Sequence, residues 1–188
     1  MKLLAIFPII LIYSCSTGDK GKIESDKPIE KVLQNTNITA ILDSISMEDI
    51  FADNPFTFET LSPQSFLNYI NKPVDVTEEQ ILNIHDGEST DTLISLKWEN
   101  STVVFYRSSY NNFEFIDHAD IYDSTFIFKN GINVGMSLEE VKAKFPQIKN
   151  DNKNYKYIEL YYGDATNYTI LFFENKRLKY IRYMPYTG

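Results

Sequence analysis

Cysteine is almost absent from this sequence, which contains one Cys and two His in 188 residues. A single Cys can form no intramolecular disulfide and cannot build a zinc site from several thiolates. The histidines, His85 and His118, lie far apart in polar segments, so we interpret them as loop residues. The Gly-x-Ser-x-Gly motif of acyl transfer and the Gly-x-x-x-x-Gly-Lys phosphate loop are missing too. We therefore predict no metal, no cofactor and no enzymatic activity.

Positively charged residues are scarce as well. Lys and Arg number 18 against 26 Asp and Glu, which gives a formal net charge of -8. A nucleic-acid-binding protein needs a basic face to meet the phosphates. Electrostatic docking on anionic lipid has the same requirement. The charge balance thus argues against both kinds of partner.

The hydrophobic run near the start of the sequence is short. It covers residues 3–13, follows Lys2 and leads to Ser14 and Cys15. A helix needs about 20 apolar residues to cross the hydrocarbon core of a bilayer. A positive residue followed by a short apolar run is instead typical of a secretory signal peptide.

The end of this run, Ile-Tyr-Ser-Cys at residues 12–15, resembles the bacterial lipobox. The resemblance implies cleavage before Cys15, acylation of Cys15 with fatty acids such as palmitate, and attachment to a bilayer of the bacterial envelope, for which we expect the outer membrane. Each buried CH₂ contributes about 0.8 kcal/mol, so two or three acyl chains hold a protein on a membrane. We predict a signal peptide at 1–14 and a lipidated, flexible tether at 15–37.

The rest of the chain shows a repeated pattern. Hydrophobic residues make up 43% of the sequence, enough for a buried core. The order strand, helix, three-stranded antiparallel meander occurs in residues 38–124 and again in 125–188. The predicted strands are 56–59, 92–98, 102–107 and 113–116 in the first repeat, and 126–129, 157–162, 168–173 and 178–183 in the second.

Helix signals accompany these strands. Residues 38–45 fit a short amphipathic helix, and Ser62 with Pro63 is typical of a helix start. The segment 77–80, Thr-Glu-Glu-Gln, fits a second cap, and Ser137 with Glu140 forms a capping box. We predict an α+β fold of two tandem repeats in two layers, with the helices on one sheet face.

One phrase in the second repeat supports this fold. Residues 133–141 read Asn-Val-Gly-Met-Ser-Leu-Glu-Glu-Val. The phrase resembles the helix start of small α+β domains in bacterial envelope lipoproteins, namely the SmpA/OmlA group and, as tandem copies, the β-lactamase inhibitor protein-like domains. The resemblance implies a fold and a macromolecular partner, but it implies no activity.

Aromatic side chains are the most distinctive feature, at 14% of the residues. Alternation along the strands assigns Ile94, Leu96, Val104 and Leu171 to the face that packs on the helices. Charged residues mark the opposite face as open. The candidate partner-binding residues on it are Phe105, Arg107, Tyr157, Tyr161, Tyr168 and Phe172. Aromatic residues among charges are typical of a protein-binding surface. The alternative is that the N-terminal segment or the other repeat covers this face.

These observations lead to three functional hypotheses. The first is a non-enzymatic, membrane-anchored envelope lipoprotein that binds a protein partner through its aromatic sheet face. The second is a structural accessory lipoprotein that assists assembly in the outer membrane. A ligand carrier or hydrolase with a site that the sequence does not reveal is the third. A deep groove lined by open-face aromatics would favour the third hypothesis over the first two.

The lipid anchor can be tested directly. We expect Cys15→Ser either to release the protein from membranes or to leave an unprocessed precursor, because the substituted side chain has no thiol to acylate. Membrane fractionation and the mass of the product measure this. A variant that is processed and stays bound like the parent protein contradicts the lipoprotein prediction.

Overall fold

The computed structural model describes residues 44–83, 86–163 and 167–186. Within these ranges the chain forms eight strands, two short α-helices and two 3-10 turns. The strands are β1 (Ser44–Glu48), β2 (Asp75–Leu82), β3 (Thr90–Trp98), β4 (Ser101–Arg107), β5 (Glu114–Ile121), β6 (Tyr157–Tyr162), β7 (Asn167–Glu174) and β8 (Arg177–Met184). The helices are α1 (Pro63–Tyr69) and α2 (Leu138–Lys142), and the 3-10 turns are Ile50–Ala52 and Lys129–Gly131.

All eight strands belong to one sheet, in the order β1-β6-β7-β8-β5-β4-β3-β2. Strands β2 to β5 form one antiparallel meander, and β6 to β8 form a second. The meanders join where β5 pairs antiparallel with β8, through three residue pairs centred on Asp120 and Arg182. Strand β1 pairs parallel with β6 at one edge of the sheet, and β2 forms the other edge.

The predicted fold class, a two-layer α+β fold of two tandem repeats, is wrong. The two helices have only seven and five residues, and most of the segments between strands are irregular. The six strands of the two predicted meanders are present as β3 to β8. They join into one sheet because the outer edges of β5 and β8 satisfy each other's backbone hydrogen bonds. The protein is therefore a mostly-β fold built on a single mixed sheet.

One face of the sheet carries the hydrophobic core, and phenylalanine dominates it. Side chains from residues 51–70 and 126–155 pack against this covered face. The ring centroid of Phe56 lies 4.8 Å from that of Phe66, 5.7 Å from that of Phe128 and 5.4 Å from that of Tyr183. Since burial of a large apolar side chain contributes about 1.5–3 kcal/mol, this cluster holds the irregular segments on the sheet.

Both helices begin where the Ser caps predict. The Ser62 side chain accepts a hydrogen bond from the Ser65 amide, with Pro63 in the first helical position. The Ser137 hydroxyl accepts from the Glu140 amide at 3.2 Å, and the Glu140 carboxylate accepts from the Ser137 amide at 2.7 Å. The hydrogen bond from the Ser137 amide also lowers the pKa of Glu140. The predicted capping box is thus confirmed.

Four local predictions are wrong. Residues 77–80, predicted as a helix start, lie within β2. Ser44 and Ile45, at the end of the predicted helix 38–45, belong to β1, and residues 38–43 lie outside the described residues. The segments 56–59 and 126–129 form no strands. Their only ladder contact is one isolated bridge between Phe56 and Phe128, because their aromatic side chains are drawn into the core cluster.

The sequence motif at residues 133–141 attaches α2 to the sheet. Gly135 has φ +97, a conformation that residues with a side chain rarely adopt. Its amide donates to the carbonyl of Leu178 at 2.8 Å, and the Leu178 amide donates to the carbonyl of Met136 at 2.8 Å. The turn therefore binds the start of β8 through its backbone and presents Leu138 and Val141 to the core.

The buried Lys142, the last residue of α2, holds the following segment 151–155 against the helix. Lys142 is fully buried, and its Nζ donates to the carbonyls of Asp151 and Lys153. The same ammonium lies 3.4 Å from a carboxylate oxygen of Glu139 and 5.9 Å from the ring centroid of Tyr155. A buried charge is tolerated only when it is hydrogen-bonded, so these contacts link residues 151–155 to α2.

The cap at α2 predicts a measurable cost of substitution. We expect Ser137→Ala to lower the free energy of unfolding by about 1 kcal/mol, because the Glu140 amide loses its acceptor. Urea unfolding measures the change. Ser124→Ala, at an exposed position, is the control and should leave the midpoint unchanged. Equal midpoints for the two variants would mean that the capping box adds nothing to stability.

Candidate functional site

The open face, opposite the core, carries an aromatic row that crosses three strands and the residue after a fourth. Tyr157 on β6 is in register with Phe172 on β7, and Phe172 is in register with Tyr180 on β8. Tyr122, which follows β5 directly, stacks on Tyr180. We call these four residues, Tyr157, Phe172, Tyr180 and Tyr122, the aromatic ladder.

The rings of the aromatic ladder support one another. The centroids of Phe172 and Tyr180 are 4.3 Å apart with planes 9° from parallel, and those of Tyr180 and Tyr122 are 4.7 Å apart at 19°. Tyr157 lies 6.0 Å from Phe172. Pairs of this kind contribute about 0.5–1.5 kcal/mol beyond the area that they bury. The stacking therefore restricts the side-chain rotamers before any partner arrives.

A row of charged residues lies beside the ladder. Arg182 on β8 forms a two-pronged ion pair with Asp120 on β5, at 2.7 Å and 2.8 Å. The hydrogen bonds from Arg182 to Asp120 raise the pKa of the guanidinium. Ile170 lies between Arg182 and Glu159 in the register, and Glu159 accepts a hydrogen bond from Ser46 on β1 at 2.9 Å. This row gives the open face fixed charges at its centre.

A second apolar row flanks the charges on the other side. Tyr161 on β6 is in register with Tyr168 on β7, which is in register with Met184 on β8. All three side chains are half-buried, as are those of the ladder. None of them belongs to the hydrophobic core, which consists of residues on the covered face and the segments packed there. In the described ranges, no segment packs over these rows.

The structure brings together four of the six predicted partner-binding residues. Tyr157, Tyr161, Tyr168 and Phe172 lie on the open face, and Leu171 is fully buried on the covered face, as the alternation predicts. The open-face assignment of these four residues agrees with their half-buried side chains.

The assignment of the two faces of β4 is wrong: Phe105 and Arg107 lie on the covered face, and Val104, in register with His118, lies on the open face. Phe105 is fully buried in the core, and its ring lies 5.6 Å from that of Phe66. Arg107, two residues on, shares the covered face and lies at its margin, where its guanidinium pairs with Glu114 at 2.7 Å and Glu78 at 3.4 Å. The charge of Arg107 does not mark the open face, because β4 extends past the core and places this charged residue on the covered side.

Alternation alone misses Tyr180 and Tyr122 on the ladder. The β7–β8 pairing shifts between Phe172 and Phe173 of β7, so Leu178 and Ile181 of β8 both enter the core although they are three residues apart. Strict alternation from Leu178 would bury Tyr180. Tyr122 lies after the last residue of β5 and carries no strand signal of its own. The aromatic residue type itself was the available signal at both positions.

A second polar cluster lies at the far end of the covered layer. Asp123 is 4% exposed and accepts hydrogen bonds from Lys72 Nζ at 2.8 Å, Trp98 Nε1 at 3.0 Å and the Thr125 amide at 2.8 Å. Burial opposes the ionisation of Asp123, but the hydrogen bonds from Lys72, Thr125 and Trp98 prevail and lower its pKa to about 2. Lys72 also pairs with Glu99 at 2.9 Å.

A cavity of about 410 Å³ adjoins this cluster and is also lined by Tyr69, Asn71 and Phe126. Both carboxylate oxygens of Asp123 already accept hydrogen bonds from protein groups. We therefore interpret Asp123 as a structural link between the end of α1, β3 and the segment after β5.

Other predicted features fall partly outside the described ranges. Cys15 and His85 lie outside them. The loop prediction for His118 is wrong, because His118 lies on β5, with its Nδ1 2.7 Å from the Asp117 carboxylate. Among the described residues, no group of three or more His, Cys, Asp or Glu side chains is arranged to hold a metal ion. No helix in the same ranges has both the length and the apolar character needed to span a bilayer.

Comparisons with known proteins assign the chain to no family. No protein-family model, no curated protein and no solved structure matches the chain. The similarity of residues 133–141 to envelope lipoprotein domains therefore stays a prediction.

Asp123 predicts a specific pH dependence of stability. Its pKa in the folded state, about 2, lies below its ordinary value of 3.8, so its charge stabilises the fold above about pH 4. That contribution is lost as the pH falls towards 2. We expect Asp123→Asn to lower the free energy of unfolding by about 2 kcal/mol at pH 7 and by much less at pH 2.

Urea unfolding at a series of pH values measures this difference. Asp75→Asn, at an exposed position, serves as the control and should follow the parent curve. A constant difference between parent and Asp123→Asn from pH 7 to pH 2 would contradict the role of the Asp123 charge.

Proposed function

We propose that the chain is a non-enzymatic lipoprotein of the bacterial envelope that binds a protein partner through the open face. The observation that carries this proposal is the aromatic ladder with its adjoining ion pair, which no described segment covers. The membrane attachment rests on the lipobox-like residues 12–15.

The composition of the open face supports a protein partner. Tyr and Arg are among the residues that contribute most to protein–protein affinity, and the three rows contain five Tyr and one Arg. Tyr offers a large apolar ring and a hydroxyl that can donate or accept. A surface of this kind can bury apolar area and still satisfy polar groups of the partner.

Preorganisation of the face supports binding as well. Side chains that become ordered on binding cost about 0.5–1.5 kcal/mol each. In the ladder this cost is reduced, because Phe172 and Tyr180 already stack within 4.3 Å. The Arg182–Asp120 pair is likewise formed in the free protein and can select partners by charge.

Affinity capture from bacterial membranes tests the proposal. The mature chain, immobilised through its N-terminal tether, is compared with the variant Phe172→Ala/Tyr180→Ala. A partner of the open face should be recovered with the parent chain and lost with this variant. Tyr110→Ala is the matched control, since Tyr110 is 93% exposed but lies in the β4–β5 turn, away from the ladder. Equal capture by all three chains would refute the proposed binding face.

The two neighbouring residues Leu171 and Phe172 predict opposite effects on stability and binding. Leu171→Ala should lower the free energy of unfolding by about 2–5 kcal/mol, because it leaves a cavity in the core. Phe172→Ala should cost about 1 kcal/mol or less, since it removes a half-buried ring outside the core and its contacts with Tyr157 and Tyr180.

Urea unfolding and partner capture are measured on the same preparations. We expect Phe172→Ala to weaken capture strongly and Leu171→Ala, where it remains folded, to preserve it. A larger loss of stability for Phe172→Ala than for Leu171→Ala would show that the ladder is part of the core.

A further inference from the structure

Strand β2 is an exposed edge of the sheet. Among the described residues it pairs on one side only, with β3, and the other side of its backbone faces away from the sheet. Seven of its eight residues are exposed, including Val76 at 47% and Leu82 at 60%. Within the described ranges the covered layer does not reach β2, and both faces of this strand as well as its edge are exposed.

The backbone of an edge strand can bind another strand. Every second residue of β2 directs its N–H and C=O outward, and these groups have no partner within the sheet. An extended peptide can pair with such an edge through main-chain hydrogen bonds, while side chains on the two strands decide which peptide is accepted. The identity of the occupant therefore depends on the side chains of β2.

The charges of β2 disfavour a second copy of this chain. In the central antiparallel registers that keep both covered faces on one side, Glu78 lies opposite Glu78 of the second copy, or Glu79 opposite Glu79. Like charges directly opposite each other destabilise a strand pair, so each of these registers is disfavoured.

The same charges favour a basic strand. Asp75 and Glu79 lie four residues apart on the open side of β2, with Thr77 between them, and neither forms an ion pair with a described residue. The nearest cation in the register is Lys97, opposite Asp75. Glu78 lies on the covered side of β2, where its carboxylate is already 3.4 Å from the Arg107 guanidinium. A partner strand with two cations four residues apart matches the two unpaired carboxylates.

We infer that β2 is a second docking site, which adds to the sheet an extended peptide with Lys or Arg at two positions four residues apart and a β-branched residue between them. The inference goes beyond the proposed function, because it uses a different surface and does not depend on the open-face ladder. Its ligand is a peptide segment of another protein with this charge pattern.

Synthetic peptides test the inference with the full chain in a neutral detergent. The probe is an eight-residue peptide of Val and Thr with Lys at the third and seventh positions. One control has Glu at those two positions. A second control keeps both Lys residues but replaces alternate Val and Thr residues by Pro, which retains the charge and removes main-chain donors. Fluorescence anisotropy measures affinity, and amide hydrogen exchange shows whether β2 becomes protected.

We expect the lysine probe to bind roughly tenfold more tightly than either control and to protect β2 amides. The double variant Asp75→Lys/Glu79→Lys should reverse the preference, so that the glutamate peptide binds more tightly than the lysine peptide. Both positions are exposed, and circular dichroism checks that the variant keeps its fold.

Three outcomes would overturn the inference. Equal binding of the lysine probe and its proline control would mean non-specific charge attraction. No binding of any peptide would mean that the carboxylates only protect the edge from pairing. Protection of β2 without peptide, which rises with protein concentration, would mean that a second copy is the occupant. The Phe172→Ala/Tyr180→Ala variant should bind the lysine probe like the parent, which separates this test from that of the open face.

Discussion

The short pairing between β5 and β8 holds the two meanders in one sheet, and the candidate site depends on it. Only three residue pairs form this junction. On the covered face, the junction residues Tyr183 and Ile181 are buried in the core. On the open face, Arg182 donates two hydrogen bonds to the carboxylate of Asp120. Without the junction the aromatic ladder would end at Tyr180, since Tyr122 belongs to the other meander.

Among the described residues the core is built on one side of the sheet, and none of them covers the other side. Two short helices and irregular segments cover the sheet with a cluster of phenylalanines, among which Phe56 contacts both the sheet and the covering layer. A sheet whose second face also packed in a core would bury its aromatic residues completely. Here they remain half-buried and stacked, so the proposed binding face is not needed to hold the fold together.

Much of the strand pattern could be predicted from the sequence, but the way that the strands assemble could not. Strands β3 to β8 have local alternation and turn signals, and the caps at Ser62 and Ser137 are local as well. Strand β1 depends on a parallel partner, β6, more than a hundred residues away in the chain. Strand β2 lacks alternation, because no core covers it, and its Thr-Glu-Glu-Gln segment satisfies a helix cap equally well.

The residues of the candidate site could likewise be predicted from the sequence only in part. Alternation places Tyr157 and Phe172 correctly because β6 and the first part of β7 are regular. It fails for Tyr180, where the β7–β8 register shifts, and for Phe105, where the charge of Arg107 at the strand end reversed the assignment of the faces. Register shifts and the extent of the covering layer arise from packing between distant segments, and no local pattern records them.

Because Lys142 is buried, its chemical reactivity reports how often the segment that covers it opens. Its amine is sealed beneath residues 151–155 and donates to two backbone carbonyls, whereas most other lysines of the described chain are exposed. An amine-reactive reagent can reach it only when this segment separates from α2. Its rate of acylation, relative to that of the exposed lysines, therefore reports how often the segment opens while the sheet stays intact.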